Sequence, residues 1–219
     1  MKQTFIKSLH DILSPPIIRF VMKIAGLSLI STSMISWLLW DILFKIINTY
    51  LTWIPWEWLT SAITSLASVL VGYTLFIVMV SLFTALMSEK LLIKLANKHY
   101  PNTPIVGSAD ITTSVIITLK SSAIFLLFFV IFMPLLFIPL IGQVVMLYLW
   151  SILLNAPTVY DVGSLFITQK EVLEEKSKQS TLIAMIGSLF NYIPLLNVFA
   201  PLFAQILFLH YLQNNYKRN

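Results

Sequence analysis

Ser121–Tyr160 reads SSAIFLLFFVIFMPLLFIPLIGQVVMLYLWSILLNAPTVY, without a charged residue from end to end. A stretch this apolar suits a bilayer, yet Phe137-Ile138-Pro139-Leu140-Ile141-Gly142 interrupts it at the middle. A second uncharged stretch, Thr181–Leu209, carries nearly the same interruption, Tyr192-Ile193-Pro194-Leu195-Leu196-Asn197. Proline removes a backbone donor and breaks a helix. Broken backbone at membrane depth is tolerated only where protein or a watery cavity satisfies the freed groups. The segments between the breaks are short. Ser121–Met133 gives about 20 Å of helix, and the halves of the second stretch about 15–18 Å, against roughly 30 Å of hydrocarbon. Both stretches therefore read as helical hairpins that dip partway in and return; one kinked span per stretch is the alternative.

Working outward, the rest of the chain agrees with a membrane setting. Hydrophobic residues make up 58% of it and charged residues 11%, too few to cover a soluble core. Cysteine is absent, which excludes disulfides and thiol chemistry. Met1–Ile24 is broken by Lys7, Asp11, Pro15, Pro16, Arg19 and Lys23, so a cleavable signal peptide is not expected. The net charge of +5 is modest and flanks the apolar runs, which suits the inner leaflet of a membrane; no nucleic acid is expected as a partner.

The predicted organisation is a single polytopic domain. Residues 1–23 form a cytoplasmic amphipathic start, 24–44 a first span, and 59–88 a second span extending to 99. Residues 121–160 and 181–210 form the two hairpins. Trp37, Trp40, Tyr50, Trp53, Trp56 and Trp58 cluster around the first turn, as indoles do at a membrane–water boundary. Lys90, Lys94 and Lys98 recur at helical spacing opposite Leu91, Leu92 and Leu95, an amphipathic extension suited to anionic headgroups or a partner helix. Under the hairpin reading the N-terminus, Glu89–Lys120, Asp161–Lys178 and Lys217–Arg218 all face the cytoplasm, in keeping with the positive-inside rule. The kinked-span reading moves only Asp161–Lys178 outside. That linker resembles no site. The expected fold class is thus an all-α integral membrane protein, with two long transmembrane helices plus two Pro-broken, half-penetrating helical hairpins.

Two constellations could carry function. In Ser14-Pro15-Pro16-Ile17-Ile18-Arg19, serine followed by proline marks a helix start, whose backbone N–H groups and dipole favour anions. The candidate anion contacts are Arg19, Lys23 one turn on, and the backbone at Ile17; the bland alternative is that both cations anchor the span at the headgroups. The second constellation is the pair of breaks, where Pro139, Gly142, Asn191, Pro194 and Asn197 could line a path or simply form buried kinks. No acidic residue lies at the centre of an apolar run, and no metalloprotease, phosphate-loop or nucleophile-elbow motif is present. His10, His99 and His210 are scattered over three boundaries, so no shared metal, no cofactor and no enzymatic activity are expected.

Several short motifs recur in a fixed order: Pro15-Pro16-Ile17-Ile18-Arg19-Phe20, Met87-Ser88-Glu89-Lys90-Leu91, Ile138-Pro139-x-x-Gly142, Tyr160-Asp161, and Ile193-Pro194-Leu195-Leu196-Asn197 with Pro201. Together they resemble the CysZ family of bacterial sulfate permeases, within the wider etoposide-induced-protein superfamily. The opening resembles that family's Pro-Gly-Leu-Arg-Arg-Phe, with Arg19 at the second arginine, Ile18 replacing the first, and Pro16 replacing the glycine. The resemblance implies a multi-pass inner-membrane protein with two half-penetrating hairpins and homo-oligomeric assembly. It also implies uptake of sulfate or a similar oxyanion to feed cysteine synthesis. A non-transporting scaffold that captures partners or shapes the bilayer is the alternative.

Overall fold

The structure is a computed structural model describing residues 2–51, 56–136, 138–169, 180–193 and 195–216. Trp53, Pro55, Pro194, the charged linker residues 170–179 and Lys217–Arg218 lie outside the described residues. Every regular element among those described is helical. In order they are α1 (Lys2–Ile12), α2 (Pro15–Leu51), α3 (Glu57–Met87), α4 (Glu89–His99), α5 (Ile111–Leu136), α6 (Ile141–Gly163), α7 (Thr181–Ser188) and α8 (Ala200–Tyr216). Short 3-10 turns cover Leu189–Tyr192 and Asn197–Phe199.

The helix start marked by Ser14-Pro15 is where α2 begins, and from Pro15 it runs 37 residues without a break, past the whole of residues 24–44. Its buried stripe is Ile17, Val21, Ile24, Ser28 and Thr32, a helical spacing, and beyond Thr32 none of its described residues is buried. Met34, Trp37, Leu38 and Trp40 all stand exposed there, and so do Trp56 and Trp58 across the turn. Exposed apolar side chains capped by indoles are what a lipid-facing helix pair needs. The amphipathic extension takes the expected form: in α4, Leu92, Leu95 and Ala96 are buried while Lys90, Lys94 and Lys98 are exposed.

The first hairpin corrects the expectation of half-length arms. Its first arm starts at Ile111, because Asp110 caps the helix by accepting from the Thr113 amide at 2.8 Å. The Ser/Thr-rich stretch does not interrupt the helix, since its hydroxyls bond back along it: Thr118 to the Ser114 carbonyl and Ser122 to the Thr118 carbonyl, each at 2.8 Å. The arms are 26 and 23 residues, about 39 and 34 Å at the α-helical rise. With α2 and α3 they make four helices long and apolar enough to cross a membrane. The chain does reverse at the break. Ser114, in the first turn of α5, donates to Asp161 near the end of α6; a single kinked span would leave those ends far apart.

The second hairpin is shorter and more deeply packed. Thr181–Tyr192 falls short of a span, and α8 is buried at every residue from Ala200 to His210. Gly187 lets the arms touch, because a Cβ there would lie 2.7 Å from the Ala204 Cβ. Leu202, Phe203, Ile206 and Phe208 of α8 join α1, α2, α4 and the end of α6 in one apolar cluster. Ala200 and Ala204 face the second, built from Phe125, Leu149, Trp150 and Leu153 of the first hairpin.

Candidate functional site

At the start of α2, the backbone donors are already engaged. Pro15 and Pro16 carry no N–H, and the amides of Ile17 and Ile18 both donate to the Ser14 carbonyl at 3.0 Å. The Ile17 side chain is buried. The main-chain part of the expected anion contact is therefore spent on capping the helix. What remains are the side chains of Arg19 and Lys23, both exposed on one face of α2. No carboxylate pairs with either among the described residues.

The two breaks share an unusual backbone. Leu140 has φ 66° and Leu195 φ 74°, the left-handed region that disfavours a side chain. At the first break the Ile141 amide returns to the Pro139 carbonyl at 2.8 Å and the Gly142 amide to the Ile138 carbonyl at 2.8 Å. Gly142 has no alternative: a Cβ would meet the Leu136 carbonyl oxygen at 2.4 Å. At the second break the Leu196 and Asn197 amides return to the Ile193 carbonyl at 3.0 and 3.2 Å. Pro139 is exposed, whereas Asn191 and Asn197 are buried. The Asn191 side chain has no hydrogen-bond partner among the described residues, nor has the Asn197 Oδ1; Tyr73 donates to the Asn191 main-chain carbonyl at 3.0 Å and also bonds the Asn197 side chain.

A cavity of about 250 Å³ lies elsewhere, between the arms of the first hairpin and the start of α7. Ser121, Tyr148, Ser151, Asn155 and Thr181 give it a neutral polar lining. None of the residues at the breaks lines it.

Two buried polar clusters escaped the sequence reading. Asp161, placed in the linker by that reading, is an α6 residue only 3% exposed. It accepts from the Ser114 hydroxyl and, at 2.9 Å, from the Gln205 amide of α8. The second cluster overturns the scattering of the histidines. His99 Nε2 donates to Asp11 Oδ1 and His210 Nε2 to Asp11 Oδ2, each at 2.9 Å, while Tyr100 bonds His210 Nδ1 at 2.8 Å. Lys98 stands 3.7 Å from Asp11 Oδ1, and Lys7 donates to the Tyr100 hydroxyl at 3.4 Å. His10 is exposed and takes no part. Burial raises the Asp11 carboxyl, but the hydrogen bonds and charges of His99 and His210 outweigh it and hold it below its ordinary value. Burial pushes the His210 imidazole down to about 4, against the opposing Asp11 hydrogen bond. Burial and the Asp11 charge raise the Tyr100 phenol to about 12. Helical periodicity gave no sign of either cluster, since each joins helices distant in sequence. The available signal was compositional: Asp11, Asp161 and Gln205 are polar residues at the edges of apolar runs, where burial demands partners.

No match was found among curated proteins or among solved structures. A family model described as sulfate transporter CysZ/Etoposide-induced protein 2.4 matches residues 4–201. That range takes in α1 through the first residues of α8, including Arg19, both breaks, Asp161 and two of the three residues bridged at Asp11. A multi-pass helical membrane protein, matched over nearly its whole length, the chain belongs to the sulfate transporter CysZ/etoposide-induced protein 2.4 family.

Proposed function

We propose that the protein is an oxyanion permease of the bacterial inner membrane, taking up sulfate for sulfur assimilation and cysteine synthesis as a homo-oligomer. Its N-terminus lies in the cytoplasm in this reading, with the family's transporter character as its background. The observation that carries it is the pair Arg19 and Lys23. Two exposed cations one turn apart on α2, without carboxylate partners among the described residues, suit a tetrahedral dianion. The buried Asn191 side-chain amide and the Asn197 Oδ1, without partners among the described residues, supply neutral polar groups of the kind a passage needs at the second break.

Radiolabelled sulfate flux into proteoliposomes tests the reading, with wild type compared to Arg19→Ala. Uptake above empty liposomes that falls at least tenfold in the variant is expected. Equal flux in both removes Arg19 from the path, and no flux in either removes the activity. Single cysteines at Ser164 or Gln169, in a chain with no native thiol, label from the cytoplasmic side if both hairpins return. The exposed lysine face of α4 supports a second reading, a scaffold that docks on anionic lipid. It predicts that Arg19→Ala is silent while Lys90→Glu/Lys94→Glu changes localisation.

A further inference from the structure

We propose that Asp11, His99 and His210 form a binding site for a divalent transition-metal ion of the zinc class, independent of the anion contact at Arg19. The three residues come from α1, the end of α4 and α8, and one ligand atom from each lies within 4.8 Å of the other two. Two imidazoles and a carboxylate are the donor set that zinc and its neighbours prefer over magnesium or calcium. Tetrahedral zinc, with bonds of about 2.1 Å, needs ligand atoms roughly 3.3 Å apart. The His–Asp separations of 2.9 Å open to that value, and the imidazoles close on it, by small side-chain rotations.

The surroundings are arranged as an ion would require. Metal-bound histidine directs its second ring nitrogen to a fixed polar group, and Tyr100 stands 2.8 Å from His210 Nδ1. Both Nε2 protons move to Nδ1 on binding, so each imidazole stays neutral; on His210 that proton is then donated to the Tyr100 oxygen. Asp11 and His210 are fully enclosed at 1% and 0% exposure, whereas His99 is 19% exposed and marks the way in from solvent. Three protein ligands leave a fourth position for water on that side. The exposed Lys98 ammonium, near Asp11, is the group that an arriving cation displaces.

The test uses the untagged full-length chain in detergent, stripped of metal and titrated with Zn²⁺ against a chromophoric chelator. One Zn²⁺ per chain is expected, and cobalt substituted for zinc should show the intense visible absorption of a tetrahedral site. His99→Ala, at the rim, should weaken binding at least a hundredfold, and Tyr100→Phe roughly ten- to a hundredfold, as loss of an outer-shell partner does. Lys98→Ala should tighten it severalfold, which a cluster held only by hydrogen bonds would not show. The thermal midpoint of wild type, but not of His99→Ala, should rise with Zn²⁺. Zinc binding that survives the His99→Ala/His210→Ala double substitution, zinc binding absent from wild type, or an affinity unchanged by Lys98→Ala would overturn the assignment.

Discussion

In the first hairpin the turn residue Leu140 is 75% exposed and α5 shows Leu127, Val130 and Ile131 to the outside. In the second, Leu195 is 85% exposed at an equivalent turn, yet α8 is wholly enclosed by its neighbours from Ala200 to His210. One local device, a left-handed leucine after proline, serves two different environments. The contrast shows that in a membrane protein hydrophobicity does not report burial. Lipid and protein interior are equally apolar, so a helix facing either can be made of the same residues. What separates the two is the company of small and polar side chains. Gly187, Ala200 and Ala204 allow backbones close together, and Gln205 and His210 find partners that lipid cannot supply.

The largest expected break in this comparison is Phe203→Ala in α8, where a fully buried ring leaves a cavity. It should cost about 3–5 kcal/mol, while Leu127→Ala on the exposed face of α5 stays within about 0.5 kcal/mol. Thermal unfolding in detergent reads both, and similar losses would erase the distinction between the hairpins.

Acid should loosen the second hairpin selectively. His210 titrates near 4 in the folded chain against 6.5 unfolded, so between those values the unfolded state binds more protons and stability falls as pH falls. Asp11, lowered by its histidines, adds stability above its ordinary value that is lost at still lower pH. The His210 contribution is at most about 3 kcal/mol, and His210→Gln should flatten the profile between pH 6.5 and 4. A slope identical in both proteins would exclude His210 as its source.

Smaller effects distinguish the glycines. Gly142→Ala and Gly187→Ala each force an atom into occupied space and should cost about 1–3 kcal/mol, whereas Gly26→Ala, with nothing within 4 Å of its Cβ, should be neutral or stabilising. Smallest of all, Leu140→Gly and Leu195→Gly relieve a left-handed leucine. Each should raise the unfolding free energy by about 1 kcal/mol. If only one does, the two turns are not energetically alike.

The helical class, the lysine face of α4 and the position of both breaks were legible because each is a local pattern. Arm length in the first hairpin was not, because the charge-free run begins only at Ser121, past Lys120, whereas the helix begins at Ile111 where Asp110 caps it. At the start of α2 the sequence offers Arg19 and Lys23, both exposed, but serine-proline capping leaves no amide free at Ile17. The clusters at Asp11 and Asp161 were invisible for a third reason: their members meet only through tertiary packing, across separations of up to 199 residues.

That last separation bears on how the chain is made. Synthesis delivers α1 well before α8, so Asp11 has no His210 and Asp161 no Gln205 until α8 has been made. Closing so long a loop is a late event. Until then two carboxylates destined for burial remain without their α8 partners, and such groups are held toward water rather than hydrocarbon. Docking of the final hairpin thus converts a set of loosely associated spans into a closed bundle, and a chain cut before α8 never reaches that step.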